Sequence, residues 1–290
     1  QSQGMLTLPI TTNGNAIIYG MADSGRDEFL QGLVYSIINT HVPEEVNLYL
    51  LDYGAETLKI FNKYPHVGGI VFQGEEEKFN NLFKMIKEEM QSRKKIFADY
   101  GGEYSNYIKN RNNKLPLKVI VFNNYDSIYE SNQSLYETLP ELVRDSERYG
   151  IIYIITANAT NSVSSKVSSN FKNLYAFKLK DASDYRSLFN SKSKLVPREI
   201  DGRGVLNNDG MHEFQTASIV ENDDDLNDYV LEFIRNQKET CSSKARRIPT
   251  LPDIIRYKDV EEEITGINNI PLGISKKELE IACFNYLTNV

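Results

Sequence analysis

The sequence predicts an α/β fold built on a mostly parallel sheet with helices on both faces. Two observations carry that expectation. Short apolar runs alternate with helical patterns along the chain, and such alternation implies right-handed crossovers between parallel strands. Several of the runs are apolar at consecutive positions, as strands covered on both faces require.

Six runs read as strands: AIIYG (16–20), VNLYLLD (46–52), GIVFQ (69–73), LKVIVFN (117–123), IIYIITA (151–157) and YAFKL (175–179). Phe79, Leu82, Phe83, Ile86 and Met90 fall on one stripe of a long helix, and Leu226, Tyr229, Val230, Phe233 and Ile234 repeat the stripe. After about residue 240 the texture changes. ETCSSKARRIPTLPD is polar, basic and proline-containing, the composition of a linker. The expected organisation is therefore a module over 1–240, a linker over 241–270 and, over 271–290, the lead-in to a following module. Neither end of the chain reads as a natural terminus.

Composition narrows the function. The 290 residues are 40% hydrophobic and 25% charged, ordinary values for a soluble globular protein. No apolar run approaches the roughly 18 residues that a membrane span needs, and no signal peptide opens the chain. Two cysteines, Cys241 and Cys283, and three scattered histidines make neither a disulfide framework nor a zinc pattern, which fits a reducing cytosol. The net charge of −7 argues against nucleic acid as a partner.

The stretch YGMADSGRDEF (19–29) follows the first strand and leads into a helical pattern. Gly20 and Gly25 have the spacing of the glycines in G-x-x-x-x-G-K-[ST], the loop whose backbone N–H groups cradle phosphates. Arg26 stands where that loop has Lys, and Asp27 where it has Ser or Thr. A guanidinium is wider and planar, so it does not simply replace an ammonium under the loop. Asp27 and Asp23 place carboxylates near the phosphate position. One like-charge pair about 4 Å apart costs about 1 kcal/mol in water and about 4 kcal/mol at an effective dielectric of about 20. Asp27 is also able to ligand Mg²⁺ directly, so the exchange weakens binding without excluding it. Read alone, 20–27, with Ser24 inside it, is equally an ordinary strand-to-helix turn.

The strand LKVIVFN decides more. A phosphate-loop enzyme needs an acid at the end of such a strand to hold Mg²⁺ and orient water. This one ends in Asn123 and Asn124, which can hydrogen-bond but carry no charge. Asp126 reads as a helix-entry residue, and Asp52, ending LLD, as structural. Asn158, after IIYIITA, sits where a polar group could face a phosphate, although a loop hydrogen bond explains it as well. Arg144 and Arg148 read as surface ion pairs, and the acids of ENDDD (221–225) as company for a helix N-terminus.

Taken together, several stretches resemble the FtsK/SpoIIIE-type ATPases. LLDYGAETLKIFNKYPHVGGIV is similar to that family's strand-plus-LPH segment, and MIKEEMQSRKKIFADYGGEYSNYIKNRN to its long helix with the E-M-x-x-R…F-A pattern. ERYGIIYIITANAT resembles the G-I-H-L-I-I-A-T-Q-R-P strand, with Asn158 at the Gln and Ala159 at the Arg. NFKNLYAFKLKDASDYRSLF and GRGVL match the closing segments. The order of these pieces, over roughly 5–220, makes the match specific.

By pattern the chain looks like a middle module of a type VII secretion coupling ATPase of the EssC/YukB kind. The resemblance implies a RecA-like P-loop NTPase fold in the cytoplasmic part of a membrane-anchored bacterial protein. It implies ATP with Mg²⁺ as the cofactor, if there is any. It also implies neighbouring ATPase modules, WXG-type secreted proteins and other secretion components as partners, and an oligomer in the full-length protein. The departures at Arg26, Asp27, Asn123 and Asn124 put hydrolysis in doubt, with Gly20, Asp23, Ser24, Gly25 and Asn158 completing a degenerate nucleotide pocket. The competing reading is an active DNA-pumping ATPase; a third is the same fold with an unrelated ligand.

Overall fold

The computed structural model describes residues 4–11, 14–110, 114–251, 254–261, 269–275 and 281–285. Parts of the expected linker (252–253, 262–268) and lead-in (276–280, 286–290) lie outside the described residues.

A sheet of eight strands organises the chain in the order β3-β2-β4-β5-β1-β6-β7-β8. The strands are β1 (Ala16–Tyr19), β2 (Val46–Asp52), β3 (Val67–Phe72), β4 (Leu117–Asn123), β5 (Ile151–Ala157), β6 (Asn173–Ala176), β7 (Arg203–Asn207) and β8 (Met211–Gln215). All pairings among β1–β6 are parallel, as the consecutive apolar runs predict, and every residue of β1, β2 and β5 is buried. β7 and β8 add an antiparallel hairpin that the sequence reading lacked. Asn207, Asn208, Asp209 and Gly210 supply its turn, with Asp209 at φ 53° and Gly210 at φ 127°.

The strand bounds differ most from expectation at β3 and β6; β1 ends at Tyr19, one residue short. β3 begins at Val67, before the predicted start at residue 69, because Leu48 pairs with Val67 ahead of a register shift. β6 spans Asn173–Ala176 rather than 175–179. Beyond it the Phe177 N–H still reaches Tyr19 O, but Phe177 O and the Leu179 N–H both turn to the Tyr185 hydroxyl.

The helices are α1 (Arg26–Thr40), α2 (Glu76–Ile96), α3 (Tyr104–Tyr107), α4 (Tyr125–Ser131), α5 (Leu135–Ser146), α6 (Ser165–Ser168), α7 (Ala182–Leu188), α8 (Leu226–Thr240) and α9 (Lys258–Glu261). The stripes seen in the sequence are their buried faces: Phe79, Leu82, Phe83 and Ile86 on α2, Val230 and Ile234 on α8. α8 packs beside α1, where Tyr35 meets Phe233 at 5.4 Å between rings and shares a 2.8 Å hydrogen bond with the Tyr229 hydroxyl. Asp224 and Asp225 precede α8, and its N-cap Asp225 makes no side-chain capping bond.

At the amino-terminal edge of the sheet the fully buried Arg93 is a tie point. It donates to the carbonyls of Tyr149 (2.8 Å), Gly150 (3.0 Å) and Pro116 (2.6 Å), and pairs with Glu89.

The chain divides into two units, residues 1–75 with 86–247, and 76–85 with 248–290. The sheet lies in the first. Residues 245–247, which the sequence assigns to the linker, run beside β3 in that unit: the Ala245 N–H donates to Pro65 O at 2.8 Å and the Tyr49 hydroxyl to Arg246 O at 3.0 Å. In the second unit Asn81 Nδ2 donates to Pro249 O, and β9 (Asn269–Ile274) pairs antiparallel with β10 (Ile281–Asn285).

Candidate functional site

Parallel register brings the candidate residues to one edge. Tyr19 is level with Ala157 and Ala176, and Asp52 with Asn123. β5 lies between β1 and β4, so the residues that follow it stand between the glycine loop and the two asparagines.

The loop is anchored at its start. The Gly20 N–H donates to Ala157 O at 3.0 Å and the Met21 N–H to Lys178 O at 2.9 Å. Ser24 Oγ closes it with a 2.6 Å bond to Met21 O. Gly25 is the α1 N-cap at φ 82°, a left-handed conformation that favours glycine. A Cβ there would also collide with the backbone of Gly202. The Asp201–Gly202 turn is held over the loop by Gln215 Nε2 on Asp201 O (2.9 Å) and by the Thr216 N–H on Gly202 O (2.8 Å).

Arg26 does not project from the loop. Only 6% exposed, it turns back so that Nη1 donates to Gly20 O at 2.9 Å and to Asn158 Oδ1 at 2.8 Å. Its Nε pairs with Asp27 Oδ1 at 3.0 Å. The two residues that replace Lys and Ser/Thr therefore satisfy each other. Asp23, at φ 56°, remains exposed at the mouth. Clefts of about 400 and 370 Å³ open on either side of Asp23 and Asp201, the first reaching Glu28 and Gln31, the second Lys178 and Arg198.

Asn123 is buried and fully engaged. Its Nδ2 donates to Asp52 Oδ1 at 3.0 Å and to Thr57 Oγ1 at 3.1 Å, while its Oδ1 accepts from Thr156 Oγ1 at 3.0 Å. Asp52 further accepts from the N–H groups of Leu58 (2.9 Å) and Gly54 (3.3 Å). Burial raises the Asp52 pKa, against the lowering pull of these bonds. Asn124, left-handed at φ 63°, gives its N–H to Thr156 Oγ1 and its Nδ2 to Tyr53 O and Ser127 Oγ. Among the described residues its buried Oδ1 has no partner. Asp126 lies in the first turn of α4 and accepts from the Asn158 N–H at 2.9 Å. Burial, then the Asp126 charge, raises the Tyr19 hydroxyl pKa.

All nine sequence candidates thus lie on or beside one edge, in two groups. Gly20, Asp23, Ser24, Gly25, Arg26, Asp27 and Asn158 form the loop group; Asn123 and Asn124 form a second with Asp52, Thr57 and Thr156. Thr156 and the Asp201–Gly202 turn are absent from the sequence reading. Thr156 sits inside an apolar run and gives no signal of its own, whereas the glycines of GRGVL mark the turn. Arg144 pairs with its neighbour Asp145, and Arg148 reaches Gly102 O and Glu103, as surface residues do.

This donor set does not fit Mg²⁺. Asp27 is committed to Arg26 and Asp52 to three donors, and the strand that should end in a carboxylate ends in two amides.

The sequence model of the FtsK/SpoIIIE family matches residues 4–218. The chain belongs to the FtsK/SpoIIIE family. A curated relative, the type VII secretion system protein EssC of Staphylococcus aureus (strain MRSA252), is 23% identical over 97% of this chain. The chain spans only 20% of that protein's length. Among solved structures, EssC (ATPases 2 and 3) from Geobacillus thermodenitrificans superposes with a TM-score of 0.86 at 23% identity, over 93% of this chain and 53% of that one. Thermomonospora curvata EccC (ATPases 2 and 3), solved in complex with a signal sequence peptide, gives 0.74 at 20% identity over 94% and 51%. These likenesses establish the RecA-like P-loop fold. Among the described residues no helix is long and apolar enough to cross a membrane.

Proposed function

We propose that this chain is a catalytically degenerate ATPase module of a membrane-anchored type VII secretion motor, with a structural, regulatory or substrate-coupling role and weak or no ATP binding. The observation that carries the reading is the double replacement at the sheet edge. Arg26 spends Nη1 on Gly20 and Asn158 and Nε on Asp27, and Asn123 occupies the carboxylate position while bonded to Asp52, Thr57 and Thr156. Phosphoryl transfer is mostly positioning and charge stabilisation around a metal, and neither group supplies it.

The partners that suit this role are adjacent ATPase modules of the same polypeptide and WXG-type secreted proteins with other secretion components. Two supports are the 53% coverage of a two-ATPase chain and a similar chain solved with a signal sequence peptide. The module would work on the cytoplasmic side, within an oligomer of the full-length protein. A calorimetric titration with ATP, with and without Mg²⁺, run beside a turnover assay with and without DNA, tests the proposal. Weak or absent binding and background turnover are expected. Tight Mg²⁺-dependent binding with DNA-stimulated turnover would instead identify an active DNA translocase.

A further inference from the structure

We propose that Arg26 and Asn158 form a latch that keeps the glycine loop closed on the end of β5, and that nucleotide phosphates enter the loop only when the latch is released. The inference rests on the reading of a weak nucleotide site and says what makes it weak.

A cation in the first turn of a helix is disfavoured by the helix dipole. On an open loop Arg26 would point its guanidinium into water. Here it is 6% exposed, and one nitrogen joins the first residue of the loop, through Gly20 O, to the first residue after β5, through Asn158 Oδ1. Asp27 holds the opposite side of the same guanidinium. The Nε and Nη1 donors are therefore spent within the protein, and the guanidinium is turned away from the loop's mouth.

Asn158 is the releasable half. It is exposed, and its backbone N–H is separately anchored on Asp126, so shortening its side chain leaves the main chain tied. Losing a partly exposed hydrogen bond to a charged group shifts the closed-to-open ratio by about tenfold.

The test compares the full chain with Asn158→Ala and Asn158→Asp. It uses titration with a fluorescent ATP analogue without added Mg²⁺, and hydrogen exchange of the 20–27 amides. Asn158→Ala should exchange faster there and bind the nucleotide about tenfold more tightly than the unaltered chain. Asn158→Asp adds a charge partner for Arg26 and should shift both readings the other way. Equal affinities across the three proteins, tighter binding by Asn158→Asp, or no binding by Asn158→Ala at any concentration would each overturn the latch. Tight binding by the unaltered chain would instead overturn the weak site on which the latch rests.

Discussion

Asn123 donates to the Asp52 carboxylate across 3.0 Å, from the last residue of β4 to the last residue of the strand beside it. Replacing Asn123 by Asp would set two buried carboxylates face to face, and such pairs do not both ionise. One would hold a proton with its folded-state pKa raised above the unfolded value. The stability of Asn123→Asp should then be retained at low pH and lost as pH rises through that raised pKa. Urea denaturation at pH 5 and pH 8 checks this: the variant should lose at least about 2 kcal/mol more at pH 8 than the unaltered chain. A pH-independent deficit would show that the pair relaxes apart.

The same pair limits repair of the loop. Arg26→Lys with Asp27→Thr should leave hydrolysis at background, because the edge at 123 and 124 still lacks charge for Mg²⁺. Turnover measured on the double variant is the check, and a clear rate would mean that the loop alone was limiting.

In a strain that secretes through the full-length protein, Arg26→Ala should leave export largely intact if the module acts by contacts rather than by nucleotide turnover. Abolished export with the variant protein present and folded would make the pocket essential and overturn a role by contacts alone.

Arg93 should be costly to remove. Arg93→Ala takes the donor from the Tyr149 and Pro116 carbonyls, leaves Gly150 O with the Lys118 N–H alone and unpairs the partly exposed Glu89, and should cost about 2–4 kcal/mol. Arg93→Lys should recover little, since one ammonium cannot span the sites the guanidinium forks across. Chemical denaturation of the two variants measures both effects, and full rescue by Lys would point to charge alone.

His66 gives a pH dependence of opposite sign to the engineered carboxylate pair. Its ring is buried, with Nε2 2.8 Å from His41 O, and burial lowers its pKa. Between the lowered folded value and the ordinary value of about 6.5, the unfolded chain binds the proton more readily. Stability should therefore fall as pH drops below about 6.5, and His66→Gln should flatten that limb. Melting temperatures from pH 7.5 to 5.5 for both proteins test it.

The sheet was legible because strands buried on both faces are apolar at most positions, as β2 and β5 are apart from Asn47, Asp52 and Thr156. The β7–β8 hairpin was hidden because its strands are short and mix Arg203, Glu213 and Gln215 with apolar residues, leaving only the turn at 207–210 as a cue. At the site the sequence located the nine residues but not the direction of Arg26. That direction depends on Asn158, 132 positions away, and on a carbonyl that any residue at position 20 would carry. The two amides after β4 announced a missing charge; that Asn123 would instead be a junction for Asp52, Thr57 and Thr156 required the strand register.

The contact between α1 and α8 has a mechanical side. α1 is capped at one end by the loop glycine and gripped mid-length by Tyr229 and Phe233 through Tyr35. Fifteen residues at about 1.5 Å each make a stiff rod of roughly 22 Å. Held at a fulcrum near Tyr35, a tilt of about 5° moves the loop end by roughly 1 Å, the scale on which a hydrogen bond is made or lost. Pressure on α8 is thereby geared to the Arg26 end of the lever.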